Sequence, residues 1–214
     1  MDAGRRLPLG PGQVELWWFA DATGRDRQRR ARIDARLRQV LARYRGIAPA
    51  SLRFAREPRG RPFLADGAGP EFNLSDTRGG TLIAVSAGAR IGVDLERTDR
   101  QPSHRALARR YFAPGEARAL QGLGEDEARQ AFLALWTAKE AACKATGTGI
   151  YGRLDAWRFV VGVEPPQLLA APPEAGDRSL WRFLRLAPDP LFTAVLASPG
   201  PLAQVRWQSG VGAD

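Results

Sequence analysis

The chain has 214 residues, 44% of them hydrophobic, with one cysteine, one histidine and a formal net charge of +9. A chain of this size can bury a sizeable core as one large domain or two small ones, without covalent staples. The lone Cys143 excludes an internal disulfide and a cysteine zinc cluster, and the lone His104 leaves little for histidine-based metal binding, so any metal must sit on oxygen ligands. No apolar run reaches the length of about 18 residues that a membrane helix needs, and Met1 to Arg6 is not followed by a signal-peptide core; a cytoplasmic protein is expected. Of the 32 basic residues only Lys139 and Lys144 are lysine. A compact ammonium at those two positions does something that an arginine fork cannot, or the pair is chance.

In chain order, Val14 to Ala20 alternates as a first strand. Asp26 to Tyr44 carries Ile33, Leu37, Val40 and Leu41 at helical spacing, with an arginine-rich polar face that is most simply solvated. Leu52 to Ala55 reads as a short strand, and Glu57 to Pro62 breaks regular structure before Phe63 and Leu64. Phe72 to Ser75 and Thr81 to Ser86 read as strands about a glycine turn, and Ala89 to Glu96 as another. A helical region holds Leu107, Tyr111 and Phe112, and Glu116 to Leu123 resumes a short helix after Pro114-Gly115. Ala128 to Ala145 is the strongest helix, closed by the glycine-rich stretch from Thr146 to Gly149. Trp157 to Val161, Leu180 to Leu186 and Leu191 to Ala197 are further strands, with a proline-rich loop at 164–175. Both halves run helix then antiparallel strands. The fold class expected is α+β, with an N-terminal lobe at 1–90 and a C-terminal lobe at 91–214.

In Ile91-Gly92-Val93-Asp94-Leu95-Glu96 the apolar residues take one face of a strand, so Asp94 and Glu96 project together from the other. On the later helix Trp136, Glu140 and Lys144 recur every four residues, so a third carboxylate and an ammonium can join the pair. Three oxygen-donor acids suit Mg2+, which usually completes its shell with substrate phosphates. Judged on spacing alone, an exposed Glu140–Lys144 pair and a wet strand edge are an equally good reading.

Gly92-Val93-Asp94-Leu95-Glu96 and, some forty residues on, Trp136-Thr137-Ala138-Lys139-Glu140-Ala141-Ala142-Cys143-Lys144 together resemble the paired signature of the 4'-phosphopantetheinyl transferases, of the two-lobed surfactin type. Arg59 to Pro62 and Phe72 to Ser75 resemble earlier motifs of that family. The resemblance implies two pseudo-symmetric α+β lobes, each a small antiparallel sheet with packed helices, with coenzyme A in the cleft between them. It further implies Mg2+ on Asp94, Glu96 and Glu140, and phosphate contact by Lys144. Glu116 would deprotonate an attacking serine, and Lys139 would touch or support the substrate site. Arg61 and Ser75 would lie near the adenine and phosphates, and Arg29 near the 3'-phosphate. The partner implied is an acidic acyl or peptidyl carrier protein, which the positive charge of the chain suits, and the enzyme would be a monomer. Asp76 stands where the family commonly has a histidine. His104 is assigned to the surface with no role, Cys143 to apolar packing, and Arg105, Arg109 and Arg110 to a carrier-docking patch. The alternatives are a noncatalytic coenzyme A binder and, less favoured, a basic nucleic-acid binder, for which no motif is present.

Overall fold

The computed structural model describes residues 7–21, 26–149 and 154–208; Met1 to Arg6 lie outside them. The first strand, β1 (Gln13–Ala20), precedes the helix α1 (Asp26–Arg45), and short strands β2 (Phe54–Arg56) and β3 (Pro62–Leu64) form a hairpin. Then come β4 (Glu71–Thr77), β5 (Gly80–Ser86) and β6 (Gly92–Arg97). Helices α2 (His104–Tyr111), α3 (Pro114–Gln121) and α4 (Glu125–Thr146) follow, and β7 (Arg158–Phe159), β8 (Leu168–Ala170), β9 (Arg182–Leu186), β10 (Phe192–Ser198) and β11 (Gln204–Gln208) complete the described order.

Four layers stack. In the first sheet, ordered β11-β1-β5-β4, Trp17, Phe19, Ile83 and Val85 turn to one side and bury Leu37, Val40, Leu41 and Tyr44 of α1. The other side of that sheet, with Leu16, Leu82 and Ala84, packs against Val93, Leu95, Ala194 and Leu196 of a second sheet ordered β6-β10-β9. The far face of the second sheet, with Val195 and Ala197, takes the helices α2 to α4. The period-two alternation of β6 therefore sends Val93 and Leu95 into the space between the sheets and Asp94 and Glu96 toward α4. The α+β architecture read from the sequence is the one found. The pairs within the sheets are antiparallel except β1 with β11, which run parallel.

Three features were not foreseen. The proline-rich stretch 164–175 contains β8, which pairs with β7. β11 returns to the first sheet at the edge beside β1. His104 is buried rather than on the surface, because it shares the inward face of α2 with Leu107 and Ala108, and its ring lies against Phe132 with centroids 6.3 Å apart.

Candidate active site

The site is built where β6 meets α4. Gly92 lets them meet: a Cβ there would lie 1.9 Å from the carbonyl oxygen of Ala141 and 2.5 Å from the backbone nitrogen of Ala145. With no side chain at Gly92, the strand lies directly on the helix, and residues two and four positions further along β6 face those one turn apart on α4. Asp94 and Glu96 of the strand and Glu140 and Lys144 of the helix then line one cleft of about 500 Å3, together with Ser75, Asp76 and Arg100.

The strand β4 forms another wall. β6 is an edge strand, so its outward backbone N–H groups need acceptors. Asn73 Oδ1 accepts from Val93 N at 2.9 Å and Ser75 Oγ accepts from Leu95 N at 3.2 Å. Side chains thus do between β4 and β6 what a ladder would do between paired strands. Ser75 also donates to Asp94 Oδ1 at 2.9 Å.

Lys144 crosses the cleft floor. Its ammonium donates to Asp94 Oδ1 at 2.7 Å, Ser75 Oγ at 2.8 Å and the carbonyl of Val93 at 3.1 Å. The exposed Glu140–Lys144 pair left open by spacing is not what forms. Glu140 is buried and makes no side-chain hydrogen bond or ion pair among the described residues. Burial, then the nearby Asp94 carboxylate, pushes its carboxyl up to about 8. Glu96 is also raised by burial and by Asp94, although Arg100 donates to its Oε1 and opposes the shift.

Three carboxyls and two cations crowd together here, and one acid oxygen is unmet: Asp94 Oδ2 is buried with no hydrogen-bond partner. Among the described residues no three His, Cys, Asp or Glu side chains are gathered tightly enough to hold a metal ion as they stand, since Asp94 turns its other oxygen to Lys144 and Glu96 turns to Arg100. The residues nevertheless fit a hard cation. The donors are all oxygen, two of the three carboxyls hold their protons more tightly than usual, and a divalent ion would meet Asp94 Oδ2.

Other residues singled out from the sequence lie elsewhere. Lys139, the neighbour of Glu140, is wholly enclosed on another face of α4, over the rings of Phe112 and Phe159. It donates to Glu116 Oε2 at 2.8 Å, to the carbonyl of Leu154 at 2.9 Å and to that of Trp157. Glu116 in turn accepts from Ala113 N at 3.0 Å and from Phe159 N at 2.8 Å, so both its oxygens are taken. Neither residue lines the cleft. Lys139, expected to touch or support the substrate site, and Glu116, expected to take a serine proton, form a buried pair that ties α3 to α4, and Glu116 lines a separate groove with Gly115 and Arg158. Burial lowers the Lys139 pKa although Glu116 opposes the shift.

Arg61 is likewise buried beneath the cleft instead of lining it. Its guanidinium donates to the carbonyls of Ile91 at 3.0 Å and Phe72 at 3.2 Å, to that of Lys144, and to Glu71 Oε2 at 3.1 Å. It clasps β4, Ile91 just before β6, and the end of α4. Arg29 does reach the cleft wall, pairing with Asp76 at 2.5 Å. A second groove of about 710 Å3, lined by Arg29, Arg30, Arg38 and Arg56, shares Leu74 and Asp76 with the cleft. The acid at position 76 is thus neutralised by an arginine of α1. Cys143 is buried, and burial pushes its thiol up to about 11, as suits a small packing residue. Sequence reasoning missed Arg100, which sits four residues past Glu96 on a turn where no periodicity marks it.

A family model described as the 4'-phosphopantetheinyl transferase superfamily matches residues 90–185, a span that contains Asp94, Glu96, Glu140 and Lys144. The chain is 35% identical over 167 residues to the 4'-phosphopantetheinyl transferase HetI of Nostoc sp., covering 77% of this chain and 68% of HetI. It is 38% identical over 163 residues to a putative 4'-phosphopantetheinyl transferase of Synechocystis sp., covering 74% of this chain and 64% of that one. Against the 4'-phosphopantetheinyl transferase Sfp of Bacillus subtilis the identity is 30% over 124 residues, covering 58% of this chain and 54% of Sfp.

Proposed function

The chain belongs to the 4'-phosphopantetheinyl transferase superfamily, in its Sfp-like branch, and from that premise we propose that it moves the phosphopantetheine arm of coenzyme A onto a serine of an acidic acyl or peptidyl carrier protein. The serine oxygen attacks the β-phosphorus as its hydroxyl proton passes to water, the bond from that phosphorus to the oxygen bridging the two phosphates breaks, and 3',5'-adenosine diphosphate leaves. We read it as a cytoplasmic monomer whose 1–90 and 91–214 lobes share the cleft.

The observation that carries this reading is the convergence of Asp94, Glu96 and Glu140 in one cleft, with Asp94 Oδ2 unmet, alongside an arginine-lined groove. Asp94, Glu96 and Glu140 would hold Mg2+, which supplies charge neutralisation for the diphosphate when bound. Lys144, fixed by its bonds to Asp94 and Ser75, keeps positive charge at the cleft floor where the leaving phosphate gathers negative charge. Ser75 holds Asp94 and the β6 backbone in register with that ammonium. Arg29 and its neighbours on α1 suit the 3'-phosphate end of the nucleotide, and the Arg29–Asp76 pair keeps the acid from repelling it.

Intact-mass spectrometry of a panel of apo carrier proteins, incubated with the protein, coenzyme A and Mg2+, tests the reading. A phosphopantetheine-sized gain on a carrier, lost with a chelator and in Glu140→Ala, is expected. A folded protein that binds coenzyme A yet modifies no carrier in a broad panel speaks for a noncatalytic binder instead.

A further inference from the structure

The two cations in the cleft are held very differently. Lys144 has three donors and all three are spent, on Ser75, Val93 and Asp94. Arg100 has five N–H donors, and a single side-chain hydrogen bond, from Nη1 to Glu96 Oε1, is formed among the described residues. Its side chain is 44% exposed against 10% for Glu96, and it stands on a turn after β6, where Arg100 N donates to the carbonyl of Arg97. Lys144 is anchored. Arg100 is tethered at one point, and it occupies a carboxylate that the proposed metal needs.

Resting on the reading of the cleft as a magnesium and diphosphate site, we propose that Arg100 is an exchangeable cation: it pairs with Glu96 while the cleft is empty, and it turns its guanidinium to a phosphate of bound coenzyme A once a divalent ion has taken Glu96. In the exchange Glu96 keeps a cationic partner, trading a monovalent guanidinium for a divalent ion. A guanidinium fork matches phosphate oxygens in a bidentate way that the committed ammonium of Lys144 cannot. The released donors lie in the same cleft as Asp94 and Glu140, so the turn needs only rotation of an exposed side chain.

This makes a prediction of opposite signs for two ligands. In Arg100→Gln, Mn2+ binding without coenzyme A, followed at pH 8 by the paramagnetic resonance signal of free Mn2+, is expected to tighten about three- to tenfold, because a competing and repelling charge has gone. Coenzyme A affinity in saturating Mg2+, measured by calorimetry on the same variant, is expected to weaken about tenfold or more, the scale of a charged hydrogen bond to phosphate. A side chain that merely props up the turn would not move the two affinities in opposite directions. Mn2+ affinity unchanged or weakened in Arg100→Gln, or coenzyme A affinity unchanged, overturns the proposal. A Glu140→Gln arm separates this failure from that of the underlying reading: if Mn2+ binds Glu140→Gln as well as it binds the unaltered protein, the metal assignment itself falls and the role of Arg100 with it.

Discussion

Lys139 and Glu116 show how much a single residue type can say and where it stops. In a chain with 30 arginines, two lysines five positions apart point to a need for a compact ammonium, and at Lys139 the reason is visible: the charge is enclosed by two carbonyls, a carboxylate and two aromatic rings, where a guanidinium fork would not fit. The sequence could not reveal which way the side chain turns, because helical spacing puts Lys139 beside Glu140 without saying that only the latter meets β6. Glu116→Ala would strip the counter-charge from an enclosed lysine, leave Phe159 N and Ala113 N without acceptors, and destabilise the fold by about 3–5 kcal/mol. Replacing both partners with apolar residues, Glu116→Leu with Lys139→Met, should recover a good part of that loss, since neither charge is then left unpaired. Denaturant unfolding of the two single variants and the double variant measures the coupling. A cost below about 1 kcal/mol for Glu116→Ala would mean that the pair is not the closed unit described.

At the scale of elements, the legible parts were those with strong periodicity. The alternation in β6 and the four-residue spacing in α4 were enough to put two carboxylates on one face and a third opposite them, and the glycine-rich end of α4 was foreseen because Gly147 adopts the left-handed conformation that closes a helix. β8 and β11 were not legible. Each is short, three and five residues, and each is held by its partner strand instead of by an amphipathic pattern of its own. The contact between β6 and α4 depends on one atom that is absent, the Cβ of Gly92. Gly92→Ala would drive a methyl group into the backbone of Ala141 and Ala145, and backbone within a buried helix cannot rotate aside as a side chain can. The strand must then lift from the helix, at a cost of about 3 kcal/mol or more. Asp94 and Glu96 would separate from Glu140 and Lys144. A fall in melting temperature together with loss of Mn2+ binding is expected, and an alanine variant that melted and bound Mn2+ like the parent would show that the close approach is not what builds the cleft.

For the whole molecule, the four-layer stack raises the question of whether its two halves fold as one unit. The two sheets share no ladder. They are joined by the apolar layer between them, by Asn73 and Ser75 reaching the edge of β6, by Arg61 binding carbonyls of β4, of Ile91 just before β6 and of α4, and by β11, which carries the end of the described chain back to β1. The interlayer core alone contains Leu16, Leu82, Ala84, Ile91, Val93, Leu95, Ala194 and Leu196, all essentially buried, so neither half could lose the other without exposing a continuous apolar face. Cooperative unfolding follows: Trp17 and Trp18 report on the first sheet, Trp157 and Trp181 on the helical side, and their fluorescence changes should coincide with the loss of far-ultraviolet circular dichroism in one denaturant transition. Variants keeping only one tryptophan set would give the two reports separately. Arg61→Leu is the sharper perturbation, because it removes donors from four acceptors at once, on β4, on α4 and on Ile91 just before β6. Its expected signature is a lower midpoint with the two tryptophan transitions still coincident, since the interlayer core that couples the halves remains. If the parent protein already unfolded in two separate steps, the cleft would have to be regarded as a meeting of two independent bodies, and the positions of Asp94 and Ser75 relative to one another would owe little to the clasp.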